Sequence, residues 1–168
     1  QVVAALTGGV VSTAVNIPPV SAEDMEVLGP FLPLCQRLGR IAMALAEGSS
    51  VDRLEVEYLG RIAERDTRLL TIAVLNGILA GHTEEDVNFV NAPVLLERLG
   101  VRMEVVKSTD NTDYHELMRI EAVAPDGSAH GAAGTLIGKG HKPRIVEING
   151  REVEVDASGK LLIVENLD

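Results

Sequence analysis

Aromatic side chains are nearly missing from this sequence. Its 168 residues hold two Tyr, two Phe and no Trp. Base-stacking platforms are therefore scarce, which argues against single-stranded nucleic acid as a partner. Positive charge is also in short supply, with 15 Lys and Arg against 25 Asp and Glu. A formal charge of −10 repels the phosphates of a duplex, so no nucleic-acid partner is expected. The single cysteine, Cys35, excludes an internal disulfide framework and any thiolate zinc or iron–sulfur site built within one chain. A reducing, cytoplasmic setting fits. No run of 18 apolar residues marks a membrane span, and no signal peptide is visible, so no membrane partner is expected.

What is present is a core-forming composition. Apolar residues make up 46%, and nearly all are Leu, Val, Ile and Ala. A chain of this length buries ~70% of its unfolded surface. Residues 1–7 read as the last turns of a helix closed by Gly8-Gly9, and 10–22 as a connector containing Pro18-Pro19. Gly29-Pro30 opens a helix in which Phe31, Leu34, Cys35, Leu38, Ile41, Ala42 and Leu45 share one face. Leu54, Val56 and Tyr58 alternate with Glu55 and Glu57, which is a half-buried strand. Asp66 or Thr67 caps a second helix, Arg68 to Ala80, apolar nearly all round and therefore buried, a candidate subunit contact. Asn91 caps a third helix with Pro93 in its first turn and Gly100 as its stop.

From there the pattern turns to strands, at about 102–108, 114–124, 129–138, 143–148, 151–155 and 161–165. Helices first and a run of antiparallel strands after them predict an α+β fold, with helices packed against a mostly antiparallel sheet. The chain opens on Gln1-Val2-Val3 and closes on Asn166-Leu167-Asp168 just after an apolar run. It reads as a piece of a longer protein.

Candidate chemistry is sparse. His82, His115, His130 and His141 fall in no metal-ligand spacing, so no metal is expected. No Gly-x-Ser-x-Gly elbow supports a nucleophile, and no catalytic residue is assigned. Glu55 and Glu57 read as a solvated strand face rather than an acid/base pair. Cys35 lies on the apolar helix face and reads as a buried structural thiol. Asn88 and Asn91 read as backbone-capping amides.

One stretch stands apart. Residues 139–151 hold Lys139, Lys142, Arg144 and Arg151, with His141 among them and a single acid, Glu147. Asn149-Gly150 predicts a two-residue hairpin. Simple pairing then sets Ile148 opposite Arg151, Val146 opposite Val153 and Arg144 opposite Val155, with both arginines on the apolar face. It also sets Glu147 opposite Glu152. An arginine on an apolar face needs a partner. That partner is either a carboxylate of this protein or another subunit, or a bound anion gripped by two parallel hydrogen bonds. Lys139, His141, Lys142, Arg144 and Arg151 are the candidate anion-binding set.

Four strings carry a resemblance: VEYLGRIAERDTRLLTIAVLNGIL, VNFVNAPVLLERLGV, GTLIG and PRIVEINGREVEV. They resemble the regulatory part of long-form D-3-phosphoglycerate dehydrogenases. The resemblance implies that residues 1–20 end the substrate-binding domain and its connector. Residues 21–156 would be the intervening, allosteric substrate-binding domain, and 157–168 the start of a truncated ACT domain. It implies a parent enzyme that oxidises 3-phosphoglycerate with NAD in L-serine biosynthesis, with its cofactor site and catalytic residues upstream of Gln1. This piece would then carry no cofactor of its own, and would serve regulation and homo-oligomer formation through its apolar helix faces. A small phosphorylated or anionic metabolite would be its effector, with serine itself bound at the ACT domain. Arg144 sits where the family motif has its basic residue, whereas at Arg151 many relatives carry an aromatic. A similar domain belongs to L-serine dehydratases, whose iron–sulfur cysteines this chain lacks.

Overall fold

Two glycines on two helices decide how the helical layer forms. In the computed structural model, which describes residues 20–88, 90–110 and 113–164, α2 (Leu32–Leu45) and α3 (Arg68–Ile78) cross at Gly39 and Gly77. A Cβ on Gly39 would lie 2.4 Å from the carbonyl oxygen of Val74. One on Gly77 would lie 2.0 Å from that of Gln36. The helices therefore touch backbone to backbone, and no larger residue fits at either point.

The face of α2 follows the apolar spacing: Leu34, Cys35, Leu38, Ile41 and Ala42 are buried. Its start differs from expectation. A separate helix, α1 (Ala22–Leu28), precedes it and runs into it through the 3-10 turn Gly29–Phe31. Ser21 caps α1, its Oγ accepting from the Asp24 N–H at 3.0 Å. The remainder of the expected connector and the helix end at 1–7 lie outside the described residues.

The sheet holds six strands in the order β2-β1-β3-β4-β5-β6. They are β1 (Arg53–Gly60), β2 (Arg102–Ser108), β3 (Glu116–Val123), β4 (Ala129–Ile137), β5 (Lys142–Ile148) and β6 (Arg151–Asp156). The fold is α+β, with one departure from an all-antiparallel run. β2 lies parallel to β1, because α3 and α4 (Ala92–Leu99) carry the chain back to the same end of the sheet. The expected strand at 161–165 is not formed over 161–164, and residue 165 lies outside the described residues.

The helices cover one face of the sheet. α2 lies on β4, where the Gly131-Ala132-Ala133-Gly134 run is small enough to admit it. A Cβ on Gly134 would meet the side chains of Leu34 and Leu38 at 3.0 and 3.3 Å. The buried Tyr58 of β1 shares a hydrogen bond of 2.9 Å with Thr71 of α3, satisfying its hydroxyl inside the core. Cys35 donates to Met118 Sδ at 3.3 Å, and burial pushes its thiol up, so it is a structural and unreactive thiol.

Asn91 stands at the N-cap of α4, though its side chain makes no capping bond; Asn88 accepts from the N–H groups of Val90 and Asn91 just before the helix, at 2.9 and 3.1 Å. Asn91 in turn accepts from the Asn88 N–H at 2.8 Å. Both amides thus satisfy backbone groups. At the helix end, Gly100 takes a left-handed conformation that a glycine adopts without strain.

The glycine crossing generates a prediction. Gly77→Ala forces α2 and α3 apart and costs about 2 kcal/mol or more. Urea unfolding of the variant checks it. A midpoint equal to that of the parent chain would show that the helices do not meet at this point.

Candidate anion-binding site

The face of the sheet away from the helices is charged, and its centre is Arg119. Across β1, β3, β4 and β5 the register aligns Glu57, Arg119, Ala133 and Glu147 in one row. Ala133 is short, so the Arg119 guanidinium passes over it and reaches both carboxylates. It donates to Glu147 through Nε and Nη2, each at 3.0 Å, and to Glu57 through Nη1 at 2.6 Å. These bonds raise the arginine's affinity for its proton, the pair with Glu147 first. Glu147 does lie opposite Glu152, and Arg119 offsets that repulsion. Glu55 is similarly bound by Arg53 on the same strand. The open face is therefore an ion-pair lattice with its arginines already committed.

At the end of this face lies the predicted basic cluster. A tight turn joins β4 to β5, closed by the His141 N–H donating to Gly138 at 3.1 Å. His141 itself has φ +47°, in the left-handed region. Lys139, His141 and Lys142 are exposed around this turn and Arg144 is half-buried beside it. Arg151 is elsewhere. It lies opposite Ile148 at the other end of the β5–β6 hairpin, six residues along from Lys142, or roughly 20 Å at strand spacing. Four of the five candidate residues are brought together and Arg151 is not.

The hairpin forms on Asn149-Gly150 as the sequence predicts, with φ of +48° and +74°. Its register departs from simple alternation after two pairs. Ile148 pairs with Arg151 and Glu147 with Glu152, but then Ile145 pairs with Val155 and Arg144 with Asp156. Between those pairs β6 carries one residue more than β5, and β5 in turn carries Val146 as an extra residue relative to β4, so the sheet bulges there. The bulge resets which side faces the helices. Ile145 and Ile148 enter the main core, while Val146 joins Leu117 and Ala133 on the open face. The predicted single face shared by Arg144, Val146, Ile148, Arg151, Val153 and Val155 is thus broken.

Arg144 has the carboxylate partner that its position demands. Its Nη1 is 3.5 Å from Asp156 Oδ2. The Asp156 carboxyl is held below its ordinary range by the hydroxyl and N–H of Ser158, then by the charges of Arg144 and Lys142. Asp156 therefore ties the basic turn to residues 156–159, where β6 ends. The Ala157 N–H also donates to the Pro143 carbonyl at 3.1 Å, closing the end of the sheet.

The histidines do not converge. Among the described residues, no three His, Cys, Asp or Glu side chains are placed to hold a metal ion. No helix among those residues is long and apolar enough to cross a membrane. Two features had no local signal in the sequence. One is the Arg119 lattice, which assembles from three strands. The other is a cleft beside Pro143 that draws Arg37 and Arg40 from α2.

Comparison with known proteins gives one consistent result. The profile of the D-3-phosphoglycerate dehydrogenase intervening domain matches residues 27–149. A D-3-phosphoglycerate dehydrogenase of Mycobacterium tuberculosis is 34% identical over 164 residues, covering 98% of this chain and 30% of that protein. One of Methanocaldococcus jannaschii is 32% identical over 168 residues, covering 100% of this chain and 31% of that protein. The chloroplastic D-3-phosphoglycerate dehydrogenase 3 of Arabidopsis thaliana is 30% identical, covering 99% and 31%. The chain thus spans about 30% of the length of these curated relatives.

The open face carries its own prediction. Glu121 faces Glu55 across β1 and β3. Burial, and then Glu55, Glu57 and Glu147, push its carboxyl up, while Arg119 pulls it down. The folded chain therefore holds this proton to higher pH than the unfolded chain. Its contribution to stability is present at low pH and is lost as pH rises through the folded value. Glu121→Gln, which mimics the protonated form, should raise the thermal midpoint at neutral pH and change little below about pH 3. Scanning calorimetry at both values checks this, and an equal effect at the two would contradict it.

Proposed function

Because the chain belongs to the D-3-phosphoglycerate dehydrogenase intervening domain family, we propose that it is the regulatory, anion-responsive module of such an enzyme. The whole enzyme oxidises 3-phosphoglycerate with NAD, in the cytoplasm, on the way to L-serine. The module itself takes no part in the chemistry and binds no NAD. It holds a phosphorylated or otherwise anionic metabolite at the β4–β5 turn, through Lys139, His141, Lys142 and Arg144.

One observation carries this reading. A chain of net charge −10 gathers these four basic side chains at one end of its sheet. Among the described residues, the carboxylate contact there is the Arg144–Asp156 pair at 3.5 Å. An anion competes with Asp156 for Arg144. A bidentate guanidinium–phosphate contact is stronger than a long ion pair with a carboxylate that is half exposed. Displacing Asp156 loosens residues 156–159, through which the chain leaves the sheet. Anion binding is thereby coupled to whatever follows β6, and coupling of this kind is reciprocal. Arg151, at the far end of the hairpin, is outside this site.

A second reading is purely architectural. A groove of about 810 Å³ opens between α3, α4 and the edge strand β2, lined by Ile72, Leu75, Leu96, Met103 and Val105. Val105 and Val106 are about half exposed on that edge. An uncovered edge with an apolar groove beside it is a place for two copies of the chain to meet. This reading makes the helix layer an oligomer contact and leaves the basic turn without a ligand.

Titration calorimetry with 3-phosphoglycerate, inorganic phosphate and L-serine separates the two. Binding of the phosphate compounds, weakened about tenfold or more by Arg144→Ala or Lys142→Ala, with no serine response, is the outcome for an anion module. Indifference to all three ligands, with a dimer in sedimentation, is the outcome for an architectural one.

A further inference from the structure

The cleft between α2 and the end of β6 has the chemistry of a second oxyanion seat. It encloses about 270 Å³, enough for a phosphate group and a short carbon chain. Its floor is apolar, made of Leu34, Pro143 and Ala157. Its polar groups are Gln36, Arg37, Arg40 and Ser158, and among the described residues no carboxylate lines it. In a chain with 25 acidic residues, a concave site with two arginines and no acid is unusual company for a guanidinium.

The two arginines differ in state. Arg37 is half-buried and donates through Nη2 to the Gly159 carbonyl, so it is held in place over the cleft. Arg40, one helical turn further along the same face, is exposed. Among the described residues its side chain makes no hydrogen bond or ion pair. A fixed guanidinium beside an uncommitted one offers a tetrahedral anion one pre-placed donor and a second that is free to turn onto it.

The cleft is distinct from the β4–β5 basic turn. Pro143 aligns with Leu136 of the core side, whereas Lys142 and Arg144 flank it in sequence and so lie on the open face. Both places nevertheless bear on the same short segment. Arg144 holds Asp156, and Arg37 holds Gly159.

We propose that this cleft binds a small phosphate-class anion between Arg37 and Arg40. Occupation competes with the Gly159 carbonyl for Arg37 and so acts on the segment that leaves the sheet. The inference rests on the reading of the module as anion-responsive and assigns that response an additional seat on the helix side.

Titration of the isotope-labelled 168-residue chain with inorganic phosphate, followed by heteronuclear NMR, tests it. The expected result is saturable shifts at the amides of Gln36, Arg37, Arg40 and Ser158. These shifts weaken about tenfold or more in Arg40→Gln, through loss of a charge-assisted hydrogen bond, and persist in Lys142→Ala. Arg40 is exposed and without a partner among the described residues, so its replacement leaves the fold intact. Shifts confined to residues 139–144, abolished by Lys142→Ala and indifferent to Arg40→Gln, would overturn the cleft while leaving the proposed function standing. No shift at either place would overturn both.

Discussion

The contact of α2 and α3 at Gly39 and Gly77 is the constraint from which the rest of this structure follows. With no Cβ between them, the two helix backbones come within van der Waals reach, an approach that any larger residue at either point would block. That placement sets α2 down on β4, whose small residues accept it, and brings Thr71 of α3 to the hydroxyl of Tyr58. It also decides which residues of α2 stand at the edge of the layer. Arg37 and Arg40 reach the end of β6 because the same helix is fixed by Gly39. A looser helix pair would not hold a guanidinium over a cleft.

Charge is then distributed unevenly around this frame. Most arginines of the sheet are spent internally. Arg119 is shared by Glu57 and Glu147, and Arg53 is held by Glu55. Such pairs fix side chains in place without contributing much free energy at a half-exposed surface. The basic turn after β4 and the α2 cleft are different. Among the described residues, the positive groups there outnumber the carboxylates that reach them, and Arg144 and Arg37 contact Asp156 and Gly159. The proposed anion would compete with Asp156 and Gly159 for these two arginines.

Much of this fold was legible in the sequence, where the signals are local. The buried face of α2 follows from apolar spacing, β1 from strict alternation and the hairpin from Asn149-Gly150. What was illegible depends on distant pairing. β2 lies parallel to β1 because of a crossover some forty residues long, and nothing within Arg102–Ser108 encodes that. The bulge at Val146 arises from the joint register of three strands, and it overturned the expected face of Arg144. The short helix α1 carried a usable signal, Ser21 three residues before Asp24, that the reading of a connector passed over. At the site, sequence proximity grouped Arg151 with the basic turn although a strand length separates them. Conversely, Arg37 and Arg40 lie about a hundred residues before Pro143 and Ser158, so only folding brings them together.

The most direct measurement is thermal unfolding of the 168-residue chain in millimolar phosphate and in chloride at equal ionic strength, with a variant lacking both Arg40 and Arg144 as reference. A ligand that binds only the folded chain stabilises it by an amount that grows with the logarithm of its concentration. An anion-responsive module predicts a midpoint that climbs with phosphate in the parent chain and stays flat in the variant. The same midpoint in both salts, or an equal climb in parent and variant, would contradict it.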